Sequence, residues 1–132
     1  MTKIVRWAAA LAMGLALAAP AVAQDAPVTG KWQTKDRDAD YQIEMCGPDN
    51  TQLCVRLVAL HGRGDKAKNR AYLGKLLVDR ARPVSQVRWR GKIDLMGQTA
   101  DATFTLRSAN TLEISGCAYV VICDSFNLNR IE

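Results

Sequence analysis

Short segments in which apolar and polar residues alternate recur from Gly30 to Arg130, and they constrain the fold more than any other feature of the sequence. A period of two places one face of a segment in a core and the other in water, which is typical of half-buried β-strands. Turn-forming residues separate most of the segments. The eight predicted strands are Gly30–Thr34, Asp40–Cys46, Leu53–Leu60, Lys75–Asp79, Ser85–Asp94, Thr99–Arg107, Thr111–Cys117 and Asp124–Arg130.

Eight short antiparallel strands with tight connections favour an all-β, closed up-and-down barrel, because closure removes exposed sheet edges. A two-sheet sandwich fits the same pattern and stays an alternative. The one long connection, His61 to Gly74, is expected to hold a helical turn or a lid. With 132 residues, 48% of them hydrophobic, the chain is long enough for one domain and too apolar to be disordered.

The N-terminal segment has the pattern of a secretory signal peptide. Lys3 and Arg6 precede an uncharged stretch rich in Ala and Leu, which ends in Ala21-Val22-Ala23, a pattern that signal peptidase accepts. The stretch is short of the about 20 strongly apolar residues that a membrane span needs. We therefore expect residues 1–23 to be cleaved off and residues 24–132 to form one periplasmic domain. Cleavage lowers the net charge of +5 by two units, so nothing calls for a nucleic-acid partner.

Four cysteines form two close pairs in the sequence. Four thiols allow three pairings, and their spacing does not choose between them. Strand parity places Cys46 and Cys54 on the outer face of neighbouring strands, and Cys117 and Cys123 on the outer face of another two. Facing residues on antiparallel strands lie about 4.5–5.5 Å apart, which is within disulfide range. The predicted disulfides are Cys46–Cys54 and Cys117–Cys123. Zinc binding is disfavoured, because C-x₂-C spacing is missing and the chain has one His.

Gly30-x-Trp32 opens the first strand and Arg130 closes the last. This arrangement resembles the lipocalin and calycin barrels, in which the Trp plugs one end and the Arg packs across it. Over residues 30–130 the chain is also similar to a family of small exported bacterial proteins of unknown function with lipocalin-like barrels. That similarity rests on Gly30-x-Trp32, Cys46-x₇-Cys54, Asp65-Lys66-Ala67-Lys68-Asn69, Trp89-x-Gly91-Lys92-Ile93 and Leu112-x-Ile114-x-Gly116-Cys117, followed by Cys123 and Arg130. The resemblance implies that Gly30, Trp32 and Arg130 close the barrel and serve structure.

Strand parity also predicts which residues face the barrel interior. They are Trp32, Tyr41, Ile43, Met45, Val55, Leu57, Val87, Trp89, Ala100, Ala102, Phe104, Leu106, Leu112, Ile114, Phe126 and Leu128. An eight-stranded barrel is either just filled by its side chains or holds one small ligand. Ala100 and Ala102 favour a small apolar pocket, and a fully packed core is the alternative. The candidate ligand-binding residues are Tyr41, Met45, Leu57, Trp89, Phe104 and Phe126.

Signals for catalysis or metal binding are weak. The sequence contains no motif of a serine nucleophile, a zinc protease or a phosphate-binding loop. Asp36, Asp38 and Asp40 imitate the start of a calcium loop, but Tyr41 and Gly47 stand where an EF-hand needs Gly and Glu. His61 has no partner that the sequence fixes. We therefore expect no enzyme, no cofactor and no metal site.

The densest run of basic residues has two interpretations. It comprises Arg80, Arg82, Arg88, Arg90 and Lys92. It could form a cationic strip for an anionic partner, such as lipid headgroups, glycans or an acidic protein. The favoured interpretation is an ordinary solvated strand face, partly neutralised by Asp101 and Glu113.

The sequence thus predicts a monomeric or weakly associating, non-catalytic periplasmic barrel that binds a small apolar or amphipathic molecule in its interior. The alternative is a barrel that acts on a protein partner in the envelope, for example as an inhibitor, through its surface loops. A cavity above about 300 Å³ would favour the first function. A filled barrel with an exposed apolar or charged loop patch would favour the second.

Overall fold

The computed structural model describes residues 14, 27–95, 97–118 and 122–132. Apart from Gly14, the predicted signal peptide lies outside these residues. The strands are β1 Gly30–Thr34, β2 Ala39–Cys46, β3 Gln52–Leu60, β4 Leu76–Ser85, β5 Arg88–Leu95, β6 Gln98–Ser108, β7 Thr111–Ala118 and β8 Ile122–Arg130. A 3-10 turn, Gly62–Gly64, and a one-turn helix α1, Ala67–Arg70, lie between β3 and β4. In the described parts of the chain, no helix is long and apolar enough to cross a membrane.

The eight strands form one closed antiparallel barrel in the order β1 to β8, and β1 pairs with β8. Each strand therefore hydrogen-bonds to the strand that follows it in the chain. This confirms the predicted eight-stranded barrel and excludes the sandwich. The connection from His61 to Gly74 contains the 3-10 turn and α1, in agreement with the helical turn predicted there.

Side chains fill most of the interior. The largest fully buried ones are Trp32, Phe104, Ile43, Leu53, Leu112 and Leu128. Around them pack the buried Val55, Trp89, Ala102 and Ile114 and the partly buried Tyr41, Met45, Ala100 and Leu106. Of the fourteen buried residues that the described structure places in this core, nine belong to the predicted inward set. The other five are Val28, Leu53, Val78, Ala81 and Ile93.

The β4–β5 hairpin differs from the prediction. β4 continues to Ser85, and Val87, predicted to face inward, lies in the turn and is 46% exposed. The cause is a bulge in β4: the register against β3 shifts between Val78 and Ala81, and Arg80 adopts a left-handed φ of 62°. Val78 and Ala81 are therefore both buried although they are three residues apart. A strict period of two cannot predict such a pair.

Phe126 is a second correction to the predicted inward set. It is the register partner of Ile114, which is buried, yet Phe126 is 42% exposed. The reason is the shortness of β1, which ends at Thr34 opposite Leu128. Within the described residues, β1 pairs with β8 only from Leu128 to Arg130, so Phe126 has no β1 residue beside it.

One end of the barrel is closed by Trp32 and Arg130. Trp32 is fully buried, and its indole Nε1 donates to the Val28 carbonyl at 2.9 Å. The Arg130 guanidinium carbon lies 4.4 Å from the centre of the Trp32 ring, within cation–π range. Arg130 also donates to the carbonyls of Ala109 and Thr29, both at 2.8 Å. This cluster has the arrangement that the resemblance to lipocalins implied.

Gly30 begins β1 beside this cluster, and it has to be glycine. Its φ is +138°, and a Cβ at this position would lie 2.4 Å from the Glu132 carbonyl oxygen. The close approach lets the C-terminal residues lie along β1, where Lys31 N–H donates to the Glu132 carbonyl at 3.0 Å.

Both disulfides form with the predicted pairing, Cys46–Cys54 and Cys117–Cys123. Cys117 and Cys123 are direct register partners, 4.0 Å apart at Cα. Cys46 faces Gln52, so its bond to Cys54 runs diagonally across the β2–β3 ladder, over a Cα distance of 6.0 Å.

Candidate functional site

The end of the barrel opposite Trp32 contains a pocket of about 220 Å³, which we call the open-end pocket. Its apolar side chains come from the ends of β2, β3 and β4, and its polar ones from β1, β5 and the loops. The lining residues are Thr34, Asp38, Ala39, Tyr41, Leu57, Leu60, Gly64, Asn69, Tyr72, Leu77 and Asp94. Ala39, Leu57 and Leu77 form a small hydrophobic cluster of their own, separate from the main core.

The His61–Gly74 connection covers part of this end and is held in place at several points. His61 N–H donates to the Asp38 carbonyl at 2.8 Å, and Gly74 N–H donates to the Leu57 carbonyl at 2.8 Å. The Asn69 amide donates to the Gly64 carbonyl at 2.9 Å, which joins α1 to the 3-10 turn. Gly64 itself is buried so close to Asp38 that a Cβ would lie 2.3 Å from the Asp38 carbonyl oxygen. The connection is therefore a fixed cap that shapes the pocket.

The polar side chains of the pocket are the carboxylates of Asp38 and Asp94, the phenols of Tyr41 and Tyr72, the Thr34 hydroxyl and the Asn69 amide. Asp94 Oδ1 is buried and has no hydrogen-bond partner in the described structure. Asp38 accepts a hydrogen bond from the Thr34 hydroxyl. Burial and, to a smaller extent, the charge of Asp38 raise the pKa of Tyr41 above its ordinary value of 10.0. The Tyr41 phenol is therefore neutral at physiological pH and able to donate. The described lining contains no basic side chain.

The structure separates the six candidate ligand-binding residues. Tyr41 and Leu57 line the open-end pocket. Trp89 and Phe104 are buried in the packed core, with Met45 against it, and the Trp89 indole donates to the Thr51 carbonyl at 3.3 Å in the β2–β3 hairpin. Phe126 is exposed on β8. Alternation indicates which face a residue occupies but not its height along the barrel, and height is what separates these residues.

Most of the residues that line the pocket were not candidates from the sequence. Asp94 lies at the end of a strand and its sequence context is that of a solvated surface residue. Leu60 and Tyr72 belong to the end of β3 and to the cap, whose position the sequence does not determine. The pocket volume of about 220 Å³ is below the about 300 Å³ that was expected to favour ligand binding over a protein-interaction role. The volume alone therefore does not decide between the two functions, and it limits any ligand to a small molecule.

The other groups singled out in the sequence have structural contacts. His61 Nε2 lies 2.9 Å from Asp40 Oδ2, and the Gln33 amide donates to Asp40 Oδ1 at 2.8 Å. These bonds attach the cap to β1 and β2. Across the described ranges, no group of three His, Cys, Asp or Glu side chains is placed to hold a metal ion.

Comparison with known proteins gives a family and a fold. A family model described as "uncharacterized protein conserved in bacteria (DUF2147)" matches residues 30–130. Among solved structures, the chain is similar to protein HP1028 from the human pathogen Helicobacter pylori, which is described as belonging to the lipocalin family. The TM-score is 0.57 at 15% identity, over 79% of this chain and 82% of that one, a likeness that shows the fold alone. No curated protein sequence matches the chain.

Proposed function

Because the chain belongs to the DUF2147 family of bacterial proteins and folds as a lipocalin-like barrel, we propose that it is a non-catalytic protein that binds a small amphipathic molecule in the open-end pocket. The observation that carries this proposal is the buried, unpartnered Oδ1 of Asp94 in an otherwise largely apolar pocket. A buried polar atom without a hydrogen bond costs free energy, and a ligand that donates to it recovers that cost.

The chemistry of the lining favours a ligand with a hydrogen-bond donor, and above all an ammonium group. Asp38 and Asp94 are acidic. The Tyr72 ring already attracts one cation, since Lys75 Nζ lies 5.8 Å from the centre of the ring. Leu57, together with the neighbouring aliphatic side chains, suits an apolar body. The volume limits that body to a single ring or a short chain.

A matched series of phenyl compounds tests the proposal. We expect 2-phenylethylamine to bind at least about ten times more tightly than 2-phenylethanol, because a charge-assisted hydrogen bond is about twice as strong as a neutral one. We expect 3-phenylpropionate not to bind, since its carboxylate would meet Asp38 and Asp94. An NMR titration of the ¹⁵N-labelled protein gives the affinities, and the amide signals that shift identify the residues at the binding site.

Two variants and a control identify the site. Asp94→Asn should reduce the affinity for the amine by about tenfold or more and leave that for the alcohol nearly unchanged. Leu60→Trp should block both compounds. Asp49→Asn, an equal loss of charge in the exposed β2–β3 hairpin, should change neither affinity. Equal affinities for amine and carboxylate, or an amine affinity that Asp94→Asn does not change, would contradict the proposal.

We further propose that the protein works in the periplasm, a location supported by the signal-peptide pattern of residues 1–23 and by two disulfides, which persist in oxidising compartments. Expressed with its own leader, the protein should appear in the periplasmic extract, and its intact mass should be that of residues 24–132. Ala23→Arg should make the uncleaved precursor accumulate. Recovery of the wild-type chain in the cytoplasm with residues 1–23 still attached would refute the location.

A further inference from the structure

A cavity of about 660 Å³ lies on the outer wall of the barrel, across β4 to β7. We call it the outer basic groove. Its charged side chains are Arg80, Arg82, Arg90 and Lys92 on the basic side, and Asp79 and Asp101 on the acidic side. The groove therefore carries a surplus of positive charge, and it shares no lining residue with the open-end pocket.

Strand register builds one continuous row along this groove. Arg82 faces Arg90 across the β4–β5 ladder, Arg90 faces Thr103 across β5–β6, and Thr103 faces Ser115 across β6–β7. All four side chains carry hydrogen-bond donors, two of them guanidiniums and two hydroxyls. Neighbours in the row lie about 4.5–5.5 Å apart at Cα, close enough for adjacent side chains to contact one anion.

The two arginines of the row differ from the other basic residues of the groove. Lys92 forms an ion pair with Asp101 at 2.8 Å, and Arg80 lies 3.7 Å from Asp79. In the part of the chain that the structure describes, neither Arg82 nor Arg90 has an ion pair. Like charges that face each other across a sheet are destabilising. Both side chains are exposed, so no packing requirement explains the placement.

We infer that the outer basic groove binds the phosphate monoester of a small, hydroxyl-bearing molecule. The planar fork of a guanidinium matches two phosphate oxygens, and two facing forks can hold one phosphate from both sides. A phosphate monoester carries a charge of about −1.5 to −2 at pH 7, which offsets the two arginines. The groove is much larger than one phosphate. Its remaining polar groups, the hydroxyls of Thr103 and Ser115 and the carboxylates of Asp79 and Asp101, suit the hydroxyls of a sugar.

The shape of the groove favours a small molecule over a macromolecule. A stable protein interface needs about 800 Å² from each partner and is broad. Here the donors lie in one row along the groove, where the small residues Thr103 and Ser115 leave room beside the long basic side chains. A concave site with a few converging polar groups is the usual form of a small-ligand site.

Isothermal titration calorimetry of the wild-type protein tests the inference. It gives the dissociation constants for glucose 6-phosphate, inorganic phosphate and glucose. We expect glucose 6-phosphate to bind most tightly, phosphate more weakly and glucose not detectably. Arg82→Gln/Arg90→Gln should weaken the binding of glucose 6-phosphate by about tenfold or more, since hydrogen bonds to charged groups are lost. The double substitution of both arginines by lysine keeps the charge and should also weaken it, because the bidentate geometry disappears.

Controls separate this site from general charge attraction and from the open-end pocket. Arg63→Gln/Lys68→Gln removes the same charge from the exposed cap and should leave the affinity unchanged, as should Asp94→Asn. The urea midpoint of Arg82→Gln/Arg90→Gln should not fall, because the substitution relieves the repulsion between the two arginines. Equal losses of affinity in both charge-removal variants, or equal affinities for phosphate and its sugar ester, would overturn the inference. Binding to phosphatidic acid vesicles in place of the soluble ester would overturn the choice of a soluble ligand.

Discussion

Replacing Trp32 by alanine should lower the free energy of unfolding by about 3–5 kcal/mol, the usual range for truncating a buried Trp. Trp32 is fully buried at the closed end of the barrel, so the substitution leaves a cavity that rigid strands surround. It also removes the hydrogen bond to the Val28 carbonyl and the ring beneath the Arg130 guanidinium. Urea unfolding followed by far-ultraviolet circular dichroism measures the loss without relying on the tryptophan signal.

Two further variants divide this loss between its causes. Trp32→Phe keeps an aromatic ring but removes the indole donor, so it should cost less than the alanine variant. Arg130→Met keeps an unbranched chain over the ring and removes the cation–π contact and the bonds to the Ala109 and Thr29 carbonyls. A loss below about 1 kcal/mol for Trp32→Ala, in the range of surface substitutions, would mean that the closed end does not hold the barrel together.

Removing all four cysteines should cost about 5 kcal/mol, which is close to the whole stability of many domains of this size. The disulfides close loops with sequence separations of 8 and 6 residues, each worth about 2–2.5 kcal/mol on the chain-entropy model. Cys46–Cys54 joins β2 to β3, and Cys117–Cys123 joins β7 to β8. The two share no strand, so their effects should add.

Paired substitutions measure each disulfide separately. Cys46→Ala/Cys54→Ala and Cys117→Ala/Cys123→Ala should each lower the urea midpoint, and the fourfold variant should show the sum of the two losses. Treatment of the wild-type protein with a thiol reductant should reproduce the fourfold variant, while leaving that variant itself unchanged. A fourfold variant as stable as the oxidised wild-type protein would show that the strand ladders alone hold both hairpins.

Much of this architecture follows from local chemistry. Alternation places Trp32, Ile43 and Phe104 in the core, because a strand in a closed barrel has one face inside and one outside. The same parity places the two cysteines of each pair on one face, and the structure forms both bonds. These features depend on residues near one another in sequence or on directly paired strands.

The features that sequence reasoning missed depend on position within the closed barrel. The β4 bulge at Arg80 moves Ala81 inward and extends β4 past the predicted turn. Arg80 adopts a left-handed φ, which an arginine in a sequence does not predict. The open-end pocket brings Asp94 together with Tyr72 from the cap, and no period in the sequence relates the two. Likewise, Arg82 and Arg90 appear as parts of a basic run, and only the hairpin register shows that they face each other.

The contact between β1 and β8 has a consequence for the order in which the barrel assembles. It consists of the three pairs Trp32–Arg130, Gln33–Asn129 and Thr34–Leu128, and it joins the first strand of the barrel to the last. The other seven ladders join consecutive strands and can form as local hairpins, with little loop entropy to overcome. The β1–β8 ladder can form only when both strands are present, so we expect it to form last. The contact between Trp32 and Arg130 then holds the closed barrel together at this ladder.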